Sequence, residues 1–436
     1  MSGTSWAGAA VAGIAAVYAL GSKRLSRTPV SSAFVFAGFG VLLGPVALDA
    51  VNLDDDTGPL LSALEAALTL VLFVDAMAVP WGELRAGATL PGRLLGVGLP
   101  LSIAAGWLFA WLLLPGLTVW EFALLGAILA PTDAALGAGA IANPRVPRLV
   151  RQTLNVESGL NDGMVLPFFV IFLAGIPGTS YAAEGTGGTV WRSLVLSTVL
   201  GIGVGWLGGR LLAVSYRAGW IGREWGQIYF LALAAGAYAL AVQTQGSGFI
   251  AAWMAGAAVA TALRRDDAGA LPEQARTAEV AEYLGSLLAM ISLLIFGAVL
   301  LGPALEHLSW RIVGYAVLSL TVVRMIPVAL ALAGSRLRRP TVAYVAWFGP
   351  RGLASIVLGL LTAEERIQGA ELIGQVIAVT VGLSIVLHGA SAVLLSDRYA
   401  RWYERAATAT PGLRESAAAT VRLRPRGIGA PDHGAR

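Results

Sequence analysis

Two short polar runs interrupt otherwise apolar sequence: Pro131-Thr132-Asp133, and Glu157-Ser158 followed by Asn161-Asp162. Asp133, Glu157 and Asp162 thus bring three carboxylates within about thirty residues, in segments apolar enough to lie in a membrane. A charged side chain at bilayer depth costs about 3 kcal/mol or more, so such residues are rare and mark functional sites. Glu157 and Asn161 are four apart, as are Ser158 and Asp162, and that spacing stacks side chains on one helical face. The stripe is expected to set Asp162 beside Asp133 and the main-chain carbonyl of Thr132. Two carboxylates, a hydroxyl and a carbonyl make a hard oxygen cage suited to an alkali cation, with no soft ligand for a transition metal. The same oxygens cannot hold a proton and a cation well at once, so competition for Asp162 suffices to trade one for the other. The alternative is a polar network that merely holds helices together, and the cost of mid-membrane acids weighs against it.

Supporting charges surround these residues. Arg324 stands in the middle of an apolar segment, SLTVVRMIPVAL, where an unpaired guanidinium is expensive and a carboxylate is its usual partner. Glu157 is the expected partner, although spacing alone leaves Arg351 equally open. Arg351 follows Gly349-Pro350 and could instead balance the C-terminal dipole of a half-helix. Asp75 lies near the inner end of its segment. It either lines a funnel to the site, fixes the site through water, or serves as a snorkelling or capping group. Glu65 lies about three turns further out and is either in the path or merely packed. His388 titrates in the physiological range when unperturbed, but a single such residue is expected to join two helices by a hydrogen bond. Gln243 and Gln245 mark a polar hairpin tip.

Composition states what elements must carry these groups. The chain of 436 residues is 56% hydrophobic and only 13% charged, where a soluble domain carries about 25%. This is the profile of an all-α, multi-pass membrane protein. Cysteine is absent, so neither a disulfide framework nor a thiolate metal site is available. His307, His388 and His433 are too widely spaced for a zinc site. The basic residues are arginines except Lys23, and they indicate loop topology rather than nucleic-acid binding. Runs near 20 residues mark about thirteen spans, at 5–20, 30–49, 58–79, 94–113, 119–141, 149–175, 188–212, 226–242, 246–263, 281–301, 311–333, 341–361 and 371–395. The first run lacks a basic n-region and reads as a retained span. With the N-terminus outside, sixteen basic residues fall on inner loops, among them Arg27, Arg85, Arg145, Arg217, Arg276 and Arg338. Only Arg192, Arg311 and Arg366 fall outside, together with the acidic Asp54-Asp55-Asp56 and Glu184. Basic flanks stay cytoplasmic, so the C-terminus is expected inside, followed by a basic tail without apolar periodicity that reads as disordered.

Pro131 in span five and Gly349-Pro350-Arg351-Gly352 in span twelve interrupt corresponding spans of the two halves. Such a pair points to broken helices crossing near the membrane centre, where half-helix ends and carbonyls coordinate a cation.

Pro131-Thr132-Asp133 followed by Glu157-Ser158-Gly159-Leu160-Asn161-Asp162-Gly163 resembles the NhaP-type sodium/proton antiporters, the family that includes the eukaryotic sodium/proton exchangers. Arg324 and Trp347-Phe348-Gly349-Pro350-Arg351-Gly352 fit as well, and the likeness covers roughly residues 5 to 400. The resemblance implies a homodimer with inverted repeats. A moving core of 94–175 and 304–397 would work against a scaffold of 1–93 and 176–303, with 398–436 a cytoplasmic tail. It implies that Asp162 carries ion and proton, with Thr132, Asp133 and Ser158 as companions and Glu157 paired to Arg324. Some members have Glu where this chain has Asp75. Asn161 occupies the place where electrogenic relatives have a second acid, which implies one proton traded for one monovalent cation. Sodium is the first expectation, with lithium and potassium not separable by these motifs, and no cofactor is called for. A cation channel could use the same acids, but broken helices favour alternating access. An intramembrane aspartyl protease lacks its glycine-framed aspartate here.

Overall fold

The computed structural model describes residues 3–25, 28, 31–48, 58–79, 89–133, 136–137, 143–183, 185–265, 278–410 and 412–417. The expectations on Arg27, Asp54-Asp55-Asp56, Arg85, Glu184, Arg276, His433 and the tail beyond 417 lie outside the described residues. Among the described residues there is helix, turn and irregular chain, and no strand.

Three helices open the chain: α1 (Gly3–Leu25), α2 (Ser32–Leu43) and α3 (Gly58–Ala78). Then come α4 (Thr89–Leu113), α5 (Val119–Ile128) and α6 (Arg148–Ala174). The middle of the chain forms α7 (Gly187–Arg217), α8 (Arg223–Gln243), α9 (Gly248–Arg265) and α10 (Glu279–Glu306). The last part holds α11 (Trp310–Ala331), α12 (Arg339–Trp347), α13 (Leu353–Glu364) and α14 (Ala370–Ala409). Each expected span contains a helix, the twelfth being the pair α12 and α13. By length and composition, α3, α4, α6, α7, α8, α10, α11 and α14 can each cross a membrane, while α2, α5, α9 and α13 are shorter and apolar.

Local chemistry accounts for the two breaks. α5 begins with a capping box, Thr118 and Glu121 each accepting the other's backbone N–H. The second oxygen of Glu121 accepts the Gly369 N–H at 2.8 Å, so this buried acid pins the start of α14 to the start of α5. α5 then stops, because Pro131 offers no N–H and disfavours helical backbone at Ala130. Thr132 and Asp133 continue in irregular conformation. α12 starts with Pro340 in its first turn, where a missing N–H costs nothing. It ends at Trp347, before Gly349-Pro350, and α13 resumes at Leu353.

Burial separates an inner set of helices from an outer one. The apolar window of α6 is 72% buried and that of α7 only 28%, so α6 lies inside the bundle and α7 along its outside. α7 packs on α9 through small residues, Gly201 and Gly205 lying against the backbone of Ala251 and Ala255. Close backbone approach of this kind is what holds membrane helices together, since lipid is as apolar as the helix faces.

The expected boundary between the last span and a tail at 398 is not where the helix ends. α14 runs on to Ala409, because polar contacts replace the missing apolar periodicity. Tyr399 stacks on Tyr344 of α12 with centroids 4.3 Å apart, and its hydroxyl lies 3.0 Å from Thr341 Oγ1. Arg145, in the segment before α6, bonds Glu404 at 2.9 Å. Beyond the helix, Glu415 is buried and accepts from the Arg338 N–H and the Thr341 hydroxyl, each at 2.8 Å.

Candidate functional site

The two breaks meet. The Asp133 N–H donates to the Pro350 carbonyl at 2.8 Å, and the Leu353 N–H donates to the Asp133 carboxylate at 3.3 Å. Asp133, from the first break, therefore sits at the N-terminus of α13, where unpaired N–H groups and the helix dipole favour an anion. Arg351, from the second break, is placed reciprocally. Its Nη1 donates to the carbonyls of Ala130 and Pro131, just past the end of α5, at 3.1 and 3.2 Å, and to Gly349 O at 3.2 Å. Of the two roles left open by spacing, these bonds are those of a charge set against half-helix carbonyls. Ser355 adds a bond from α13 to Ile128 O at 2.7 Å. Gly352 has no alternative at this crossing, since a Cβ there would collide with the Asp133 carboxylate.

α6 lies against the crossing with its polar stripe inward. Ser158 Oγ donates to the Thr132 carbonyl, and Asn161 Nδ2 donates to Thr132 Oγ1 at 2.7 Å. The other amide oxygen, Asn161 Oδ1, is buried and has no hydrogen-bond partner among the described residues. Asp162 follows it on the stripe, buried with 7% exposure. Pro167, inside α6, withholds the N–H that would bond the Gly163 carbonyl, next along the chain from Asp162. Every donor gathered here is oxygen. Hydroxyl, carbonyl, amide and carboxylate oxygens suit a hard alkali ion as substrate. Among the described residues, no group of three or more His, Cys, Asp or Glu could hold a metal ion.

Glu157, on the flank of the stripe, is held by Arg324 of α11 through two bonds of 2.5 and 2.9 Å, with both side chains 4% exposed. The fork-to-fork geometry is the strong form of a carboxylate–guanidinium pair.

The model of the sodium/hydrogen exchanger transmembrane family matches residues 10–396. The chain belongs to the sodium/hydrogen exchanger family. It is a multi-pass membrane protein of a transporter family. Among similar proteins are the K(+)/H(+) antiporter NhaP of Alkalimonas amylolytica, 27% identical over 84% of this chain and 62% of the relative, and the K(+)/H(+) antiporter NhaP2 of Shewanella oneidensis, 27% identical over 87% and 64%. The chain thus spans less than two thirds of the length of these relatives. A Na(+)/H(+) antiporter of Saccharomyces cerevisiae is 32% identical, over 30% of the chain. The fold matches that of the sodium proton antiporter MjNhaP1 from Methanocaldococcus jannaschii at pH 8, with a TM-score of 0.72 and 19% identity, covering 92% of this chain and 99% of that one.

The structure brings Thr132, Asp133, Ser158, Asn161 and Arg351 together at the crossing through the bonds above, with the Glu157–Arg324 pair next to it, Arg324 lying against Gly349, and Asp162 on the same α6 stripe. Asp75, half-buried on α3, and Glu65, two to three turns before it, stand on a different helix from that set. Gln245 bonds Arg192 at its hairpin tip. Sequence reasoning passed over Asn155, which is buried with Oδ1 lacking a partner among the described residues. Its signal was the 155, 158, 162 spacing, which continues the Ser158 and Asp162 face by one turn. It also passed over Trp253 of α9, whose indole occupies the space where a Cβ of Gly163 would stand.

Proposed function

We propose that this chain exchanges a monovalent alkali cation, sodium in the first instance, for a proton across a membrane, one for one. Asp162 is the carrying acid in this reading. An ionised carboxylate moving through apolar surroundings needs neutralisation, and either a proton or a cation supplies it. The two cannot share the oxygens, so arrival of one expels the other. Thr132 and Ser158 complete the cation's oxygen shell, and Asp133 stabilises it while holding the crossing together. Asn161 carries no charge and adds none to the cycle. The observation that supports this reading best is Asn161 Oδ1, which has no hydrogen-bond partner among the described residues and is buried next to Asp162 at the meeting of two helix breaks. A buried polar atom without a partner is costly unless a ligand supplies one.

Glu157 and Arg324 neutralise one another and hold α6 to α11. Arg351 offsets the carbonyl end of α5, so that the crossing does not itself trap the cation. Residues 94–175 and 304–397 form the moving core, and 1–93 with 176–303 the scaffold that joins two copies into a dimer. The exposed apolar side chains of α7, such as Trp206, Leu207 and Leu211, are consistent with that outer placement. The arginine distribution supports an outside N-terminus and a cytoplasmic C-terminus in the cell membrane.

Potassium is the second reading, favoured by the names of the Alkalimonas and Shewanella relatives, which are potassium/proton antiporters. The test is proton flux in proteoliposomes of the purified chain on addition of sodium, potassium or lithium, with voltage clamped. Sodium-driven flux supports the first reading and flux with potassium alone the second. Unitary channel currents in planar bilayers would replace both with a pore.

A further inference from the structure

The second break is held from behind by one turn of α14. His388 is buried on that helix with 1% exposure. Its Nε2 lies 3.1 Å from the carbonyl of Trp347, the last residue of α12. Its Nδ1 lies 3.1 Å from Ser384 Oγ, and equally far from the Ser384 carbonyl one turn back. Ser384 Oγ in turn accepts the Arg351 N–H at 2.8 Å, immediately before α13 begins. The chemistry of the partners orders the protons. A carbonyl only accepts, so the Trp347 contact calls for N–H on Nε2. The neutral ring then accepts at Nδ1, and the Ser384 hydroxyl, already accepting from Arg351, donates there. In this tautomer the Ser384 carbonyl takes no bond from the ring, and the Ser384 hydroxyl is what holds Nδ1. Trp347 is fixed a second time through its own ring, whose indole N–H donates to Ser391 Oγ at 3.0 Å.

We infer that His388 is a positioning residue of the transport site: with Ser384 it staples both lips of the second helix break to α14, so that Pro350 and Leu353 meet Asp133 in one register. Arg351 ties the break to the carbonyls of Ala130 and Pro131 on one side, and His388 with Ser384 ties it to α14 on the other. Residues Phe348 to Gly352 lie outside any helix, and the carbonyls at the end of α12 and the N–H groups at the start of α13 need partners from elsewhere. Asp133 takes two of its contacts from this stretch, the Pro350 carbonyl and the Leu353 N–H. A break free to shift by a fraction of an ångström would shift the companion of Asp162 with it. The role is distinct from carrying a proton, since the ring faces backbone and Ser384 rather than the oxygens around Thr132.

The transport consequence rests on the exchange reading above, whereas the consequence for the backbone does not, and the experiment has one arm for each. Hydrogen–deuterium exchange of the purified chain in detergent is followed by mass spectrometry on peptides covering 347–353. In His388→Leu, amides of Gly349 to Leu353 are expected to exchange at least about tenfold faster than in the parent, the loss of roughly one net hydrogen bond. His388→Gln, which keeps an N–H of similar reach toward Trp347 O, is expected to recover most of that protection. In proteoliposomes the Leu variant is expected to raise the cation concentration for half-maximal flux about tenfold, with the maximal rate per folded protein within about threefold, and Gln to restore it. Unchanged protection in the Leu variant overturns the staple, as does a Gln variant no better than Leu. Loss of maximal rate with an unchanged half-maximal concentration overturns the positioning role. A parent without cation-driven flux refutes the exchange reading and leaves the backbone arm to decide the staple.

Discussion

Glu157 and Arg324 are the strongest test of what a residue contributes here, because each neutralises the other through two hydrogen bonds in a buried place. Removing one member of a buried pair leaves an uncompensated charge, at about 3–5 kcal/mol. Glu157→Ala and Arg324→Ala are therefore expected to lower the yield of folded protein and its melting temperature in detergent. A double replacement by apolar residues should recover part of the loss. Two single variants as stable as the parent would mean that the pair contributes nothing. The crossing offers a second test at this scale. Gly352→Ala puts a methyl group into the Asp133 carboxylate, and the Leu353 N–H bond to that carboxylate should be lost. Cation-driven flux is expected to fall about tenfold or more, with the dispersity of the purified protein on gel filtration unchanged. Full flux in that variant would show that the register at Asp133 does not matter.

The C-terminal part of α14 behaves as an element of the bundle rather than as a tail, and Glu415 docks the segment that follows it. Its carboxylate oxygen accepts from the Arg338 N–H at the start of α12 and from Thr341 Oγ1. Leaving those buried donors without an acceptor costs about 1–3 kcal/mol, so Glu415→Ala should melt several degrees lower. Arg145→Ala, which breaks an exposed contact with Glu404, should not be measurably less stable. A Glu415 variant with the parent's melting curve would mean that the segment after Ala409 is not docked in solution. This element also marks where sequence reading stopped. α6 was legible because its acids recur at helical spacing inside apolar residues, and α12 ends where Gly-Pro dictates. The sequence suggests only a short amphipathic turn there, with no apolar period after about Tyr403, and the longer helix is held by Tyr399 on Tyr344, a contact between distant parts of the chain. The same limit applies to the arginines. Spacing allowed Glu157 to pair with either, and only the packing of α11 against α6 brings Arg324 to it while Arg351 reaches the carbonyls after α5. His388 gave a titratable residue with no address until the break it touches was placed.

For the whole molecule the account turns on mobile charge. With Glu157 held by Arg324 and Asn161 neutral, Asp162 is the one carboxylate on the α6 stripe left to titrate. In the proposed cycle one proton then crosses for each monovalent cation, and no net charge moves. A membrane potential, worth about 2.3 kcal/mol per charge per 100 mV, should neither drive nor oppose the cycle. A potassium-diffusion potential of either sign is expected to leave sodium-coupled proton flux unchanged, provided potassium is not itself carried. Flux that follows the imposed potential would mean that Asp133 titrates as well, giving two protons per cation. The central claim is that proton and cation compete for Asp162. Its most direct measurement is cation-driven proton flux, with voltage clamped, in proteoliposomes of the parent and of Asp162→Asn at equal amounts of folded protein. The amide keeps the shape and removes the charge that either ion must neutralise. Flux in the parent and none above empty liposomes in Asp162→Asn is the expected result, and substantial flux in the variant would contradict it.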